Sequence, residues 1–151
     1  LYIERLLDGK VAGQVGAGPI VKVLAEESAE SVFHILNRLF TAIDYHNYPV
    51  KDEASLRAYV QVYFSGAGLE AKVEQHNAHG RSDLEVSAGE RHWVFEFKVS
   101  YDGEKEEEIL LEGISQMKAR HYGEQKDSKE LRRIVLVYSI PSRQFVKWKT
   151  C

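Results

Sequence analysis

Two strand-like runs constrain this chain more than any other feature: RHWVFEFKVS (91–100) and RRIVLVYSI (132–140), separated by the helical stretch ILLEGISQMKARHY (109–122). Short apolar runs rich in β-branched and aromatic residues read as strands. A hairpin needs only a tight turn, whereas a connection that contains a helix favours a parallel pair made by a right-handed crossover. The other segments arrange themselves around such a sheet. DEASLRAYVQVYF (52–64) reads as a helix with Asp52 as N-cap and Leu56, Tyr59, Val60, Tyr63 and Phe64 as its apolar stripe; Ser65-Gly66-Ala67-Gly68 ends it. LEAKVEQ (69–75) and RSDLEVS (81–87) read as strands about a His/Asn/Gly turn, and Ser87–Glu90 as a hairpin loop into the third strand. The acidic DGEKEEE (102–108) leads into the second helix, Gly123 stops it, EQKDSKE is a loop, and RQFVKWK (143–149) is a last, exposed strand. The order from residue 50 onward predicts an α/β fold on a mixed central sheet flanked by helices.

Residues 1–48 stand apart. LYIERLLDGK reads as a helix, VAGQVGAGP as a glycine-rich connection, and EESAESVFHILNRLFTAI (26–43) as a helix with Val32, Ile35, Leu36, Leu39, Phe40 and Ile43 on one stripe, broken by Tyr48-Pro49. The expected organisation is a helical extension over 1–48 and one domain over 49–151. The chain starts at Leu1 and its single methionine is Met117, so the extension is expected to be the tail of a missing upstream domain.

Composition bounds the function. Hydrophobic content of 44% supplies a core and excludes a disordered segment. Net charge of −3 excludes a protein that coats nucleic acid through bulk charge, and leaves a local basic groove open. The lone cysteine, Cys151, cannot close an internal disulfide, so a cytoplasmic setting is expected. No apolar run nears the ~20 residues of a membrane span, and Glu4, Arg5, Asp8 and Lys10 interrupt any signal-like core.

Within WVFEFKV (93–99), Trp93, Phe95, Phe97 and Val99 share one face while Val94, Glu96 and Lys98 share the other. A half-exposed strand carries such charges at no cost. A strand with a helix on each side of it in sequence has both faces covered, and there charges must be paired or bound to a cation. Asp83 and Glu85 share a face of the strand before the hairpin. Carboxylates converging near an ammonium suit a hard divalent ion that keeps several waters.

These residues resemble the PD-(D/E)XK nuclease superfamily, the restriction-endonuclease-like fold. Asp83, twelve residues, then Glu96-Phe97-Lys98 is similar to its D…ExK signature. Glu53, Glu74, Gly80-Arg81-Ser82-Asp83, Phe95-Glu96-Phe97-Lys98, Gln116-Met117-Lys118 with Tyr122, and Val137-Tyr138-Ser139 through Trp148 follow the pattern of one branch. That branch is the nuclease-like domain found behind AAA-ATPase-like domains in many bacterial proteins. Ser82 stands where the superfamily name has Pro.

The resemblance implies an αβββαβ core and a Mg²⁺- or Mn²⁺-dependent nuclease acting on nucleic acid, DNA first. It makes Asp83 and Glu96 metal ligands with the Phe97 carbonyl, Glu53 an outer ligand or water holder, Lys98 the group that positions the attacking water, and Gln116 a support for Lys98 or a phosphate contact. Arg81 and Tyr122 are implied packing groups. The alternative it carries is a catalytically inactive module that binds or regulates an ATPase domain in the full-length chain. A third class is a homodimerisation domain built on the N-terminal helices.

Other candidates are weaker. Gly13, Gly16 and Gly18 lack the Lys-Ser/Thr of a phosphate loop. His76 and His79 have zinc-compatible spacing in a polar turn, with one distant Cys. Lys118, Arg120, Lys126, Lys129, Arg132 and Arg133 read equally as a backbone-contact surface and as a solvated helix end, while Glu104–Glu108 would repel a phosphate backbone if it faced the cleft.

Overall fold

A computed structural model describes residues 17–75, 82–121 and 129–151. The expected helix 1–10, the His76–Gly80 turn, Arg81, Tyr122, Gly123 and Lys126 lie outside the described residues. The elements are α1 (Ala17–Glu26), α2 (Ala29–Ala42), α3 (Glu53–Gly66), β1 (Ala71–Gln75), β2 (Ser82–Ala88), β3 (Arg91–Ser100), α4 (Glu106–His121), β4 (Glu130–Ser139) and β5 (Gln144–Thr150). From α3 onward the order is the expected one.

The strands form one five-stranded sheet in the order β1-β2-β3-β4-β5. β1–β2, β2–β3 and β4–β5 are antiparallel, and β3–β4 is parallel through α4. The fold is therefore α/β with a mixed sheet, as the spacing of the two long strands requires. β2 and β3 meet across a tighter turn than the expected Ser87–Glu90 loop: both strands run up to Gly89-Glu90, with Gly89 at φ 58°. Glycine takes that backbone conformation without strain, and a two-residue turn sets the strand register.

One face of the sheet carries the large core. Trp93, Phe95, Phe97 and Val99 of β3, with Leu84, Val86, Ile134, Leu136 and Tyr138, pack against α1, α2 and α3. The opposite face holds a smaller core of Val94, Val135 and Val137 under Leu110, Ile114 and Met117 of α4. Both faces of β3 are thus covered, which removes the half-exposed reading of its charges.

Several boundaries differ from the sequence expectation, each for a local reason. The predicted helix 26–43 is α2, which starts at Ala29, and a further helix, α1, ends at Glu26 just before it. Ser28 is extended (φ −80°, ψ 164°) and its side chain accepts from the Ser31 N–H at 3.2 Å, so it caps α2 and interrupts the run. The preceding glycine-rich segment yields α1 from Ala17, with Pro19 in the first turn, where a missing N–H removes no helical bond. α4 starts at Glu106, earlier than the expected Ile109, because Glu106, Glu107 and Glu108 sit where a helix dipole favours anions. Asp52 caps α3 as expected, in a reciprocal pairing with Ser55.

β5 is an edge strand, and its outer side is partly occupied. The Asn37 side chain of α2 donates to the Phe145 carbonyl (3.0 Å) and accepts from the Phe145 N–H (2.7 Å), as a neighbouring strand would. No helix among the described residues is long and apolar enough to cross a membrane.

Candidate active site

The hairpin register decides which charges meet. Leu84 lies opposite Phe95 and Glu85 opposite Val94, so one further step sets Asp83 beside Glu96. On its other side Asp83 pairs with Glu74 of β1. Val94 belongs to the core under α4, and the alternation along each strand then places Glu74, Asp83, Glu96 and Lys98 on that same face. Asp83 is 0% exposed and Glu96 7%. Buried carboxylates in one row are costly unless each is answered by a partner. None of Glu74, Asp83, Glu96 and Lys98 is without a partner.

α4 shapes the far wall. Its main contacts are with β3, β4 and β5, so Glu74 and Asp83 lie beyond its principal footprint. Gly113 sits directly over the strand charges: a Cβ built there would stand 2.6 Å from Val135 Cγ1 and 3.2 Å from Lys98 Cγ. The absent side chain is what lets the helix approach the stem of Lys98. One turn on, Gln116 donates to Glu112 Oε1 at 3.1 Å. Among the described residues, its own Oε1 is buried with no hydrogen-bond partner.

Glu53 reaches the site from the first turn of α3. Its Oε2 accepts from the Val99 N–H at 3.2 Å and its Oε1 accepts from the Tyr101 hydroxyl at 3.3 Å. It is therefore fixed to the main chain one residue past Lys98. Burial, and then the Glu53 carboxylate beside it, push the Tyr101 phenol up. The Phe97 side chain faces the large core, stacked 5.9 Å from Phe95; only its main chain is available to the charged face.

Sequence reasoning singled out Asp83, Glu96, Lys98, Gln116, Glu53 and Phe97. The structure brings Asp83, Glu96 and Lys98 to one face, puts Gln116 on the helix above it, and holds Glu53 at the end of the same strand. Glu85 lies on the same face two residues along β2, is 5% exposed, and is engaged by His92 at 2.8 Å. His92 Nδ1 lies 2.8 Å from Ser87 Oγ. With Nε2–H donating to Glu85 and Ser87 O–H donating to Nδ1, all three side chains are satisfied by a neutral imidazole. The sequence reading drew no pattern from His92; its position opposite Ser87 across a two-residue turn was the available signal. It also passed over Gly113, whose signal was a glycine inside a helical pattern.

His76 and His79 lie outside the described residues. Among the described residues, no group of three or more His, Cys, Asp and Glu is gathered to hold a metal ion. Arg132 contacts Glu130 at 3.0 Å and lies over Trp93, and Arg133 Nη1 is buried with no hydrogen-bond partner among the described residues. Burial pushes the Cys151 thiol up, away from the thiolate a nucleophile needs.

A family model described as the PD-(D/E)XK nuclease superfamily matches residues 51–148. The chain belongs to that superfamily, and its mixed sheet with flanking helices is consistent with the restriction-endonuclease-like fold. A nuclease-like function follows in general terms from that membership, and members of the superfamily generally use divalent metals. No curated protein matches the chain.

Proposed function

We propose that the chain is a divalent-metal-dependent nuclease that hydrolyses phosphodiester bonds of nucleic acid, DNA in the first instance. The observation that carries this is the burial of both Asp83 and Glu96, each one residue beyond the Leu84–Phe95 pair of the hairpin, with Lys98 farther along β3 beneath Gly113. Two side-by-side carboxylates with an adjacent main-chain carbonyl form a sparse oxygen set, and such a set suits Mg²⁺ or Mn²⁺, which retain several waters. Asp83, Glu96 and the Phe97 carbonyl would hold the ion, with Glu53 as an outer partner. When bound, the ion supplies charge neutralisation at a phosphoryl oxygen and a more acidic water.

The side chains have their own tasks. Lys98, its stem clamped under α4, presents an ammonium that orients a water and opposes negative charge developing on phosphate. Gln116, on the helix above the charged face, would support Lys98 or contact the phosphate. Glu53 braces the end of β3, so the main chain at Phe97 and Lys98 cannot swing away. Residues 49–151 are the nuclease unit in this reading and 1–48 a helical extension.

Cutting of a plasmid and of single-stranded DNA and RNA with Mg²⁺ tests the proposal. Asp83→Ala and Lys98→Ala are expected to abolish cutting while leaving the melting temperature undiminished. Undiminished cutting by both variants would reject the assignment.

One observation favours a second reading, an inactive module attached to an ATPase domain. A cleft beside the end of β3 is lined by Asp102, Glu104, Glu108 and Glu112, which repel a phosphate backbone. Mn²⁺ calorimetry separates the two: a site present in the wild type and lost in Glu96→Gln supports the enzyme, and no detectable site supports the appendage.

A further inference from the structure

One residue at the rim of this site has no part in the proposed reaction. Among the described residues, the exposed large hydrophobic side chains are Val73, Tyr101 and Leu111, and Tyr101 is the aromatic one, 57% exposed. Tyrosines that only need burial find it in this fold, as Tyr63 and Tyr138 do. Tyr101 instead directly follows β3, with its ring largely in solvent and its hydroxyl tied to Glu53, which is itself tied to the β3 main chain. The tether removes much of the rotamer freedom an exposed side chain would lose on binding.

Tyr101 also lines the cleft between the end of β3 and the first half of α4. The cleft has a volume of about 350 Å³ and apolar walls at Val99 and Ile109, within the size range of small-molecule sites. Its charged lining is four carboxylates, Asp102, Glu104, Glu108 and Glu112, against one ammonium, Lys105, a net negative wall that disfavours phosphate. A nucleobase is neutral, offers a π-face to a tyrosine ring, and in three of four cases carries an amino group that a carboxylate accepts from.

We infer that Tyr101 is a stacking platform for one nucleobase of the substrate, next to the scissile phosphodiester. The inference rests on the nuclease reading above. It narrows the substrate to strands whose base is unpaired and unstacked at that position, because a base inside a duplex has both faces occupied. The acidic cleft then selects base over backbone, and the strand's phosphates pass on the Lys98 side.

The test is fluorescence anisotropy with single-stranded phosphorothioate oligonucleotides, which resist cutting. An intact strand is compared with strands carrying one abasic position at each site in turn, in the presence of Mg²⁺. The wild type is expected to bind the intact strand about tenfold more tightly than the strand abasic at one particular position, the scale of a base–aromatic stack. Tyr101→Phe should keep that preference, and Tyr101→Ala should lose it while binding the abasic strand as the wild type does. Equal binding of intact and abasic strands by the wild type overturns the inference, as does a preference that survives Tyr101→Ala or vanishes in Tyr101→Phe. Absence of binding to every strand instead overturns the nuclease reading, and this one with it.

Discussion

Replacing glycine by alanine in an ordinary helix interior stabilises a protein by up to about 1 kcal/mol, because alanine loses less backbone freedom on folding. Gly113 is expected to reverse that sign. Its new Cβ would stand 2.6 Å from Val135 Cγ1, and Val135 is fully buried with a stiff branched side chain. Gly113→Ala should lower stability by about 1–3 kcal/mol, the scale of overpacking, as read by urea denaturation, and should weaken Mn²⁺ binding in calorimetry because Lys98 must shift. Asp83, Glu96 and Lys98 were legible without a structure, because period-two alternation alone puts Glu96 and Lys98 on one face and a nearby hairpin brings Asp83 alongside. Gly113 was not: a helical glycine announces tight packing only once the facing residue is known. The Glu85–His92–Ser87 chain was hidden for a related reason, since it depends on a register that a looser turn would have shifted.

Elements depend on short polar stretches at their ends. Asp52 accepts from the Ser55 N–H at 2.8 Å, and Ser55 Oγ lies 3.1 Å from the Asp52 N–H. Asp52→Ala should cost about 1 kcal/mol, the usual loss for such a cap, with a matching fall in melting temperature. It should also loosen Glu53, the first residue of the same helix. The edge of β5 carries a different expectation. Asn37→Ala strips Phe145 of two hydrogen bonds and opens a stretch of strand edge, so light scattering should show concentration-dependent association absent from the wild type. Helix and strand identity was readable from residue 50 onward, because the patterns there are long and strongly periodic. α1 was not, since Gly16, Gly18 and Pro19 at its start read as a connection, and the cap at Ser28 that sets α2 off from it shows only in the serine's extended backbone.

The molecule as a whole should be sensitive to alkali. Burial pushes the Tyr138 phenol up to about 12 and raises Tyr63 too, its hydroxyl being buried with no hydrogen-bond partner among the described residues. A folded-state value above the unfolded value means that the native state holds its proton longer. The stabilisation is therefore intact below about pH 10 and declines as the pH climbs from there towards 12, where the unfolded chain ionises and the native one does not. Thermal melts should show a flat midpoint up to pH 10 and a fall above it, and Tyr138→Phe should flatten part of that fall.

The two-residue turn at Gly89-Glu90 has a consequence for how the chain polices itself. One residue added to or removed from either arm of the hairpin would exchange the faces of β2. Asp83 would then swing among Trp93, Phe95 and Phe64, while Leu84 and Val86 turned outward. No slipped hairpin yields a well-folded chain with a merely altered charged face, because the misplaced carboxylate and the emptied core are the same error.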